Sequence, residues 1–226
     1  MENRTMFAYD MHDMARDIEL VRVATLLNTL PGFLAIQEGV ALMSLAASVP
    51  GPPSIVEVGS FKGKSTSFLA AGCLFAGHGH VYAVDHFRGS LEHQKGGIEE
   101  TREIVNAGTT LPEFQRNITT LGLRGYITER IGASSDMAKD WDKPIRLLFI
   151  DGDHSYAGTS ADFNTWYPFL DDGAILCMHD YQNHHYLDGV TRFIDDVLLQ
   201  MPELQHLTRV HSMMVFRKHS ATAVLS

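Results

Sequence analysis

From Ser54 onward the chain alternates: a short apolar run, then a stretch with helical spacing, several times over. The runs are "SIVEV", "HVYAVD", "YITERI", "IRLLFID" and "AILCMHD", each of a length suited to a strand rather than a helix. Between them, Phe68, Leu69, Gly72, Cys73 and Ala76 share one helical face. Phe163, Trp166, Tyr167 and Leu170 share another, and Val190, Phe193, Ile194, Val197 and Leu198 a third, with Asp188 placed as N-cap and Pro202 as stop. "LQHLTRV" and "SMMVFRK" close the series as two strands with a short turn between them. This order predicts an α/β sandwich on a mostly parallel sheet. Ligands of such sheets bind at the carboxyl ends of the strands, near the point where the strand order reverses.

Ahead of this pattern, helices are predicted over 15–29 and 34–47, and the prolines of "VPGPPS" end the second. The expected organisation is a helical extension at 1–50, serving as a lid or an oligomerisation surface. A ligand-binding domain follows at 51–218, with a polar, glycine-bearing insertion at 88–110, and 219–226 form a tail. The chain is 45% hydrophobic and 20% charged, ordinary for a globular protein. Its net charge of −9 argues against a nucleic-acid partner. Cys73 and Cys177 fall in a predicted helix and a predicted strand, as buried thiols of a reducing compartment. The first twenty residues carry acids throughout, and "FLAIQEGVALMSLAASV" is interrupted by Gln37 and Glu38. Neither a targeting segment nor a membrane span is expected, and a cytoplasmic location is.

"EVGSFKGKST" looks at first like a phosphate-binding loop. A P-loop needs four residues between its first glycine and Gly-Lys-Ser. Here only Ser60, Phe61 and Lys62 separate Gly59 from Gly63, and Phe61 stands where a dinucleotide fingerprint wants its second glycine. What remains is a strand ending in Glu57, a Gly-x-x-x-Gly turn and a helix. Asp85 ends the second strand, where an acid accepts hydrogen bonds from both hydroxyls of a ribose. The plainer alternative for Asp85, a helix cap or solvated turn acid, is weaker beside that glycine turn.

The fourth strand runs into "FIDGDHSY". Asp151 and Asp153 share a face if the backbone stays extended, and such a pair needs a cation, a shared proton or different roles. The alternative is a turn acid and a helix N-cap. The fifth strand ends in "CMHDY", so Asp151, His179 and Asp180 form an oxygen/nitrogen cluster able to hold a divalent ion. His184 and His185 follow in a loop, either near this cluster or simply solvated.

Together "EVGSFKGKST", "VYAVDHF" and "RLLFIDGDHSYAGTSADFNTWYPFLDDGAILCMHDY" resemble a class I S-adenosylmethionine (SAM)-dependent methyltransferase. Within that superfamily they are most similar to small-molecule O-methyltransferases of sugars and natural products with a D-G-D…H/D-D-Y signature. The resemblance implies a Rossmann-like sandwich whose mostly parallel seven-stranded sheet carries an antiparallel C-terminal hairpin. It also implies that Glu57, Gly59, Ser60 and the turn to Gly63 border the methionine part of SAM, with Ser65 near its carboxylate. Asp85 would hold the ribose, His86 or Phe87 would lie against the adenine, and Ser134 beside it. Asp151 would face the SAM amino group and a metal, Mg2+ or similar, shared with His179 and Asp180. Asp153 matches the general base of the metal-dependent sugar enzymes, and His154 is the other candidate to take the proton. His179 stands where those enzymes place an aspartate, which leaves it open as ligand, base or substrate contact.

The implied reaction moves the sulfonium methyl in line to a hydroxyl of a small polar molecule. The acceptor would be recognised by the insertion and the N-terminal helices, which are also the expected contact of a homo-oligomer. The rivals are a P-loop-like NTPase, with "RLLFID" as its Walker B strand, and a protein that holds SAM or a nucleotide without chemistry. Metal-only hydrolysis is a further rival and leaves the glycine turn unexplained.

Overall fold

The computed structural model describes residues 11–90, 93–98, 100–183 and 188–220. Two helices, α1 (Met11–Asn28) and α2 (Ile36–Ser48), precede the first strand, β1 (Ser54–Val58). Then come α3 (Lys64–Ala76), β2 (His80–Asp85), α4 (Arg102–Ala107), α5 (Leu111–Thr120), β3 (Ile127–Ile131), α6 (Ser134–Met137) and β4 (Ile145–Ile150). The chain closes with α7 (Tyr156–Trp166), β5 (Leu170–Met178), α8 (Gly189–Asp196), β6 (Leu204–Val210) and β7 (Met213–Lys218). The strands form one seven-stranded sheet in the order β3-β2-β1-β4-β5-β7-β6. The first five are mutually parallel, and β7 runs antiparallel to β5 and β6. The fold is Rossmann-like, as expected.

Both faces of the sheet are covered, which is why its strands read as continuous apolar runs. The two-residue period divides their side chains. Ile55, Leu147, Phe149 and Cys177 join a core with α1, α2, α3 and α5. Val56, Leu148, Ile150 and Met178 join a second core with α7 and α8. Phe68 on α3 and Trp166 on α7 are fully buried anchors of the two cores, each worth roughly 1.5–3 kcal/mol by burial alone. Helix α2 belongs to the first core. A side chain on Gly39 would begin 2.5 Å from the Phe68 ring, and one on Gly72 would begin 2.3 Å from the Met43 carbonyl oxygen. Only glycines allow α2 and α3 to lie this close.

One element boundary departs from expectation. The apolar spacing through Leu170 predicts more helix, but the helix ends at Trp166 and Leu170 already starts β5. Pro168 sits in a short 3-10 turn between them, and Gly173 takes a left-handed φ of 75° early in the strand. Asp188 holds the N-cap position of α8, as expected, without a side-chain capping bond. Cys73 and Cys177 are buried and unpaired, as expected, and burial pushes their thiols up to about 11 and about 12. Among the described residues, no helix is long and apolar enough to cross a membrane.

Candidate active site

Strand order reverses between β1 and β4, so the crevice lies over the carboxyl ends of β2, β1, β4 and β5. A cavity of about 940 Å³ opens there, ample for a cofactor-sized ligand. Its floor is made by the β1–α3 turn. Gly59 takes φ 88°, and a side chain on it would begin 2.0 Å from the Asp151 carbonyl oxygen. The ends of β1 and β4 therefore meet backbone to backbone. Gly63, at φ 85°, starts α3.

Glu57 and Gly63 lie under this floor and do not line the cavity, unlike Gly59, Ser60 and Ser65. Glu57 is fully buried and accepts hydrogen bonds from Ser60 Oγ at 2.7 Å and from the Thr66 hydroxyl. Burial pushes its carboxyl up to about 7, against the opposing hydrogen bonds of Ser65, Thr66 and Ser60. Its task in the fold is to brace the turn from below.

Asp85 reaches across from β2. Its Oδ2 accepts from the Ser60 and Phe61 amides, both at 2.8 Å, and Oδ1 accepts from the Phe87 amide at 2.6 Å. A carboxylate offers about four acceptor positions, so three are spent within the protein and one faces the cavity. Asp85 lines the cavity with much of its accepting capacity already engaged. Phe87 is corrected outright: its ring is buried in the core against Phe114, with centroids 5.0 Å apart. His86 is half-exposed and lines the cavity. Ser134 also lines it, at the start of α6, and accepts from Trp166 Nε1 at 2.9 Å. Asp162, which the sequence did not single out, lines the same wall, and burial raises its carboxyl pKa.

The same cavity is also lined by a group of acids and histidines. Strand β4 ends at Ile150, so Asp151 and Asp153 lie beyond the extended segment, and both line the cavity. Asp153 Oδ1 accepts from the Ser155 amide at 2.7 Å, and Ser155 Oγ caps α7 by accepting from Gly158. Asp153 still lines the cavity, on its exposed side. The residues that do converge are Asp151, His154 and Asp180, whose ligand atoms all lie within 4.8 Å of one another. His154 Nε2 is 3.0 Å from Asp180 Oδ2. Gly189 lets α8 rest on the backbone of residues 154–156 and fixes that loop.

His179 closes the cluster. Its Nδ1 lies 3.0 Å from Asp151 Oδ1 and 3.2 Å from Asp180 Oδ2, yet it is buried without an aligned hydrogen bond to either. Burial works against its protonation, but the charges of Asp151 and Asp180 outweigh that and hold its pKa well above the ordinary value. Asp151 is raised by burial, the largest influence on it. Asp180 is also penalised by burial, but His154 and His179 more than offset this and hold it well below the usual range. A buried nitrogen left between two carboxylates, beside a second imidazole, is a donor set that fits a divalent cation. His184 and His185 lie outside the described residues.

Two further residues escaped sequence reasoning. Lys64, the first residue of α3, is nearly buried and lines the cavity; burial lowers its pKa. Glu38 of α2 is fully buried and lies 3.1 Å from His179 Nε2. A signal for Glu38 was available: Leu34, Glu38, Leu42 and Ala46 recur every four residues, so this acid falls on an apolar helical face.

A glycine turn, an acid at the end of the next strand and a polar cluster at the switch point define a Rossmann-like ligand-binding protein. The family described as a methyltransferase domain matches residues 56–181, more than half of the chain, and the chain belongs to that family. An uncharacterized protein of Sinorhizobium fredii is 27% identical over 157 residues, 68% of this chain and 16% of its own length. The chain spans 26% and 16% of the length of the curated relatives it matches. Among solved structures the fold is similar to the O-methyltransferase NovP, at 15% identity and a TM-score of 0.68, covering 92% of this chain and 99% of that one. It is also similar to the O-methyltransferase from Bacillus cereus in complex with SAH, at 20% identity and a TM-score of 0.58, covering 95% and 94%.

Proposed function

We propose that the chain is a SAM-dependent O-methyltransferase whose acceptor is a hydroxyl of a small polar molecule, a sugar or natural product. The observation that carries this reading is the layout of the large cavity over the strand ends. Gly59, Ser60 and Asp85 line it together with the cluster of Asp151, His154 and Asp180, and the two groups adjoin where Gly59 packs on the Asp151 backbone. A cofactor lying over the glycine turn would present its reactive group toward the cluster. In this reading Asp85 offers its remaining acceptor position to one ribose hydroxyl, and His86 and Ser134 flank the adenine. Ser65 and Lys64 receive the amino-acid carboxylate, for which Lys64 supplies the opposite charge.

Bound SAM would supply a sulfonium methyl for in-line transfer to the acceptor oxygen, with S-adenosylhomocysteine (SAH) as the leaving product. The hydroxyl proton passes to Asp153, whose orientation is held by the Ser155 amide and whose exposed side returns the proton to water. Most of the acceleration then comes from holding oxygen, methyl carbon and sulfur in line. Asp151, His154 and Asp180 would hold a divalent ion, which supplies a lowered hydroxyl pKa when bound. The net charge of −9 supports a small acceptor over a nucleic acid.

The test is transfer of an isotopically labelled methyl from SAM to a panel of sugars, polyols, phenols and RNA. Label in a small hydroxyl compound, with one SAH formed per methyl, is the expected result. Label in RNA alone would overturn the acceptor class, and SAH binding without transfer to any member would favour a non-catalytic binding protein.

A further inference from the structure

We infer that Glu38 is a positioning residue for the cation site: it holds His179 by the Nε2–H and thereby makes Nδ1 a nitrogen ligand beside Asp151 and Asp180. The site then takes a borderline transition ion such as Co2+, Zn2+ or Mn2+ in preference to Mg2+. This rests on the proposed function for the use of the ion, but not for its binding.

The argument begins with the donors around Glu38. Its carboxylate is completely buried, and a buried charge is tolerated only when it is fully hydrogen-bonded. Oε1 accepts from the Ser212 amide at 2.9 Å and from Ser212 Oγ at 2.7 Å. Oε2 accepts from the Ala35 amide at 2.9 Å and faces His179 Nε2 at 3.1 Å. An ionised carboxylate only accepts, so His179 must donate from Nε2.

With Nε2 committed, Nδ1 is the nitrogen turned toward the cavity; the neighbouring carboxylates favour a proton on it when no ion is bound, and an arriving ion must displace that proton. Nδ1 lies 3.0 Å and 3.2 Å from carboxylate oxygens of Asp151 and Asp180 and is aligned with neither. Metal-ligating histidines almost always give their other N–H to a carboxylate or carbonyl, which fixes the ring and the tautomer. Glu38 is that carboxylate, anchored from α2, from the end of β5 and from the β6–β7 turn. The donors thus assembled are carboxylate oxygens from Asp151 and Asp180 and imidazole nitrogens from His179 and His154. Mg2+ asks for oxygen ligands in near-octahedral array, whereas imidazole suits the later divalent metals.

The experiment titrates metal-stripped, full-length protein with Co2+, read by its visible absorption and by competition with a chelator. Mg2+ is then tested as a competitor, and SAH binding is measured by calorimetry on the same preparations. Wild type should bind Co2+ at least about 100-fold more tightly than Mg2+. Glu38→Gln should weaken Co2+ by about 10–100-fold and leave SAH binding unchanged. His179→Ala should lose as much, and the double variant no more than His179→Ala alone. A folded Glu38→Gln protein with wild-type Co2+ affinity overturns the inference, as does tighter binding of Mg2+. If Glu38→Gln does not fold, His179→Ala decides alone, and unchanged Co2+ affinity in it overturns the inference. Wild type that binds Co2+ as described but never SAH would leave this inference standing and remove the proposed function.

Discussion

The backbones of Gly59 and Asp151 touch, with no room for even a methyl group between them: a Cβ on Gly59 would lie 2.0 Å from the Asp151 carbonyl oxygen. The contact joins the ends of β1 and β4 and sets the floor of the cavity. Gly59→Ala adds that methyl at a φ of 88°, where L-residues are strained by about 1–3 kcal/mol before any clash. We expect a loss of about 3 kcal/mol or more, seen as a lower urea midpoint at unchanged slope. A loss under about 0.5 kcal/mol, the range of an ordinary surface change, would contradict the contact.

Glu57 makes stability depend on pH with a definite sign. Burial lifts its folded-state pKa to about 7, above the ordinary glutamate value of 4.5. Between those values the unfolded chain gives up the proton and the folded chain keeps it, so stability falls as pH rises through that window. A shift of this size corresponds to something on the order of 3 kcal/mol. Glu57→Gln keeps the shape without the charge. Relative to wild type it should gain stability from pH 4.5 to 7 and run parallel above that. Thermal unfolding across this range checks it, and parallel curves throughout would mean that Glu57 titrates normally.

Lys64 is expected to recognise the carboxylate of the amino-acid arm of SAM. Lys64→Met should weaken SAH by about tenfold or more, the value of a hydrogen bond to a charged group. Methylthioadenosine lacks that arm, so its affinity should change less than about twofold. Calorimetry on both ligands separates the cases. Equal losses would point to a general disturbance of the cavity.

Asp153→Asn keeps an oxygen for the Ser155 amide, so the start of α7 should survive with little change in melting temperature. It removes the proton acceptor, and kcat should fall by about 100-fold or more while SAH binding persists. A rate near that of wild type would take Asp153 out of the mechanism.

The strands were legible in the sequence because burial on both faces leaves a continuous apolar run, as in "RLLFI". Boundaries were less so. Leu170 continues a helical spacing, yet Pro168 and the turn around it deliver the chain into β5. Asp151 and Asp180 could be named from their places after strands. Their grouping with His154 instead of Asp153 depends on a turn at Gly152 that local pattern does not reveal. Glu38 shows the limit most clearly. Its position on an apolar helix face could be read, but its partners His179 and Ser212 lie 141 and 174 residues away. Only the packing of α2 against the sheet brings them together.

The central claim is that the cavity over the glycine turn holds SAM. The most direct measurement is a thermal-shift series on metal-stripped protein, comparing SAH with ATP, each with and without Mg2+. A ligand at a hundredfold its Kd adds about 2.7 kcal/mol, which for a chain of this size raises the melting temperature by several degrees. The account predicts that rise with SAH, whether or not Mg2+ is present, and none with ATP. A rise with Mg-ATP alone would contradict it and return the short Gly59–Gly63 loop to phosphate binding.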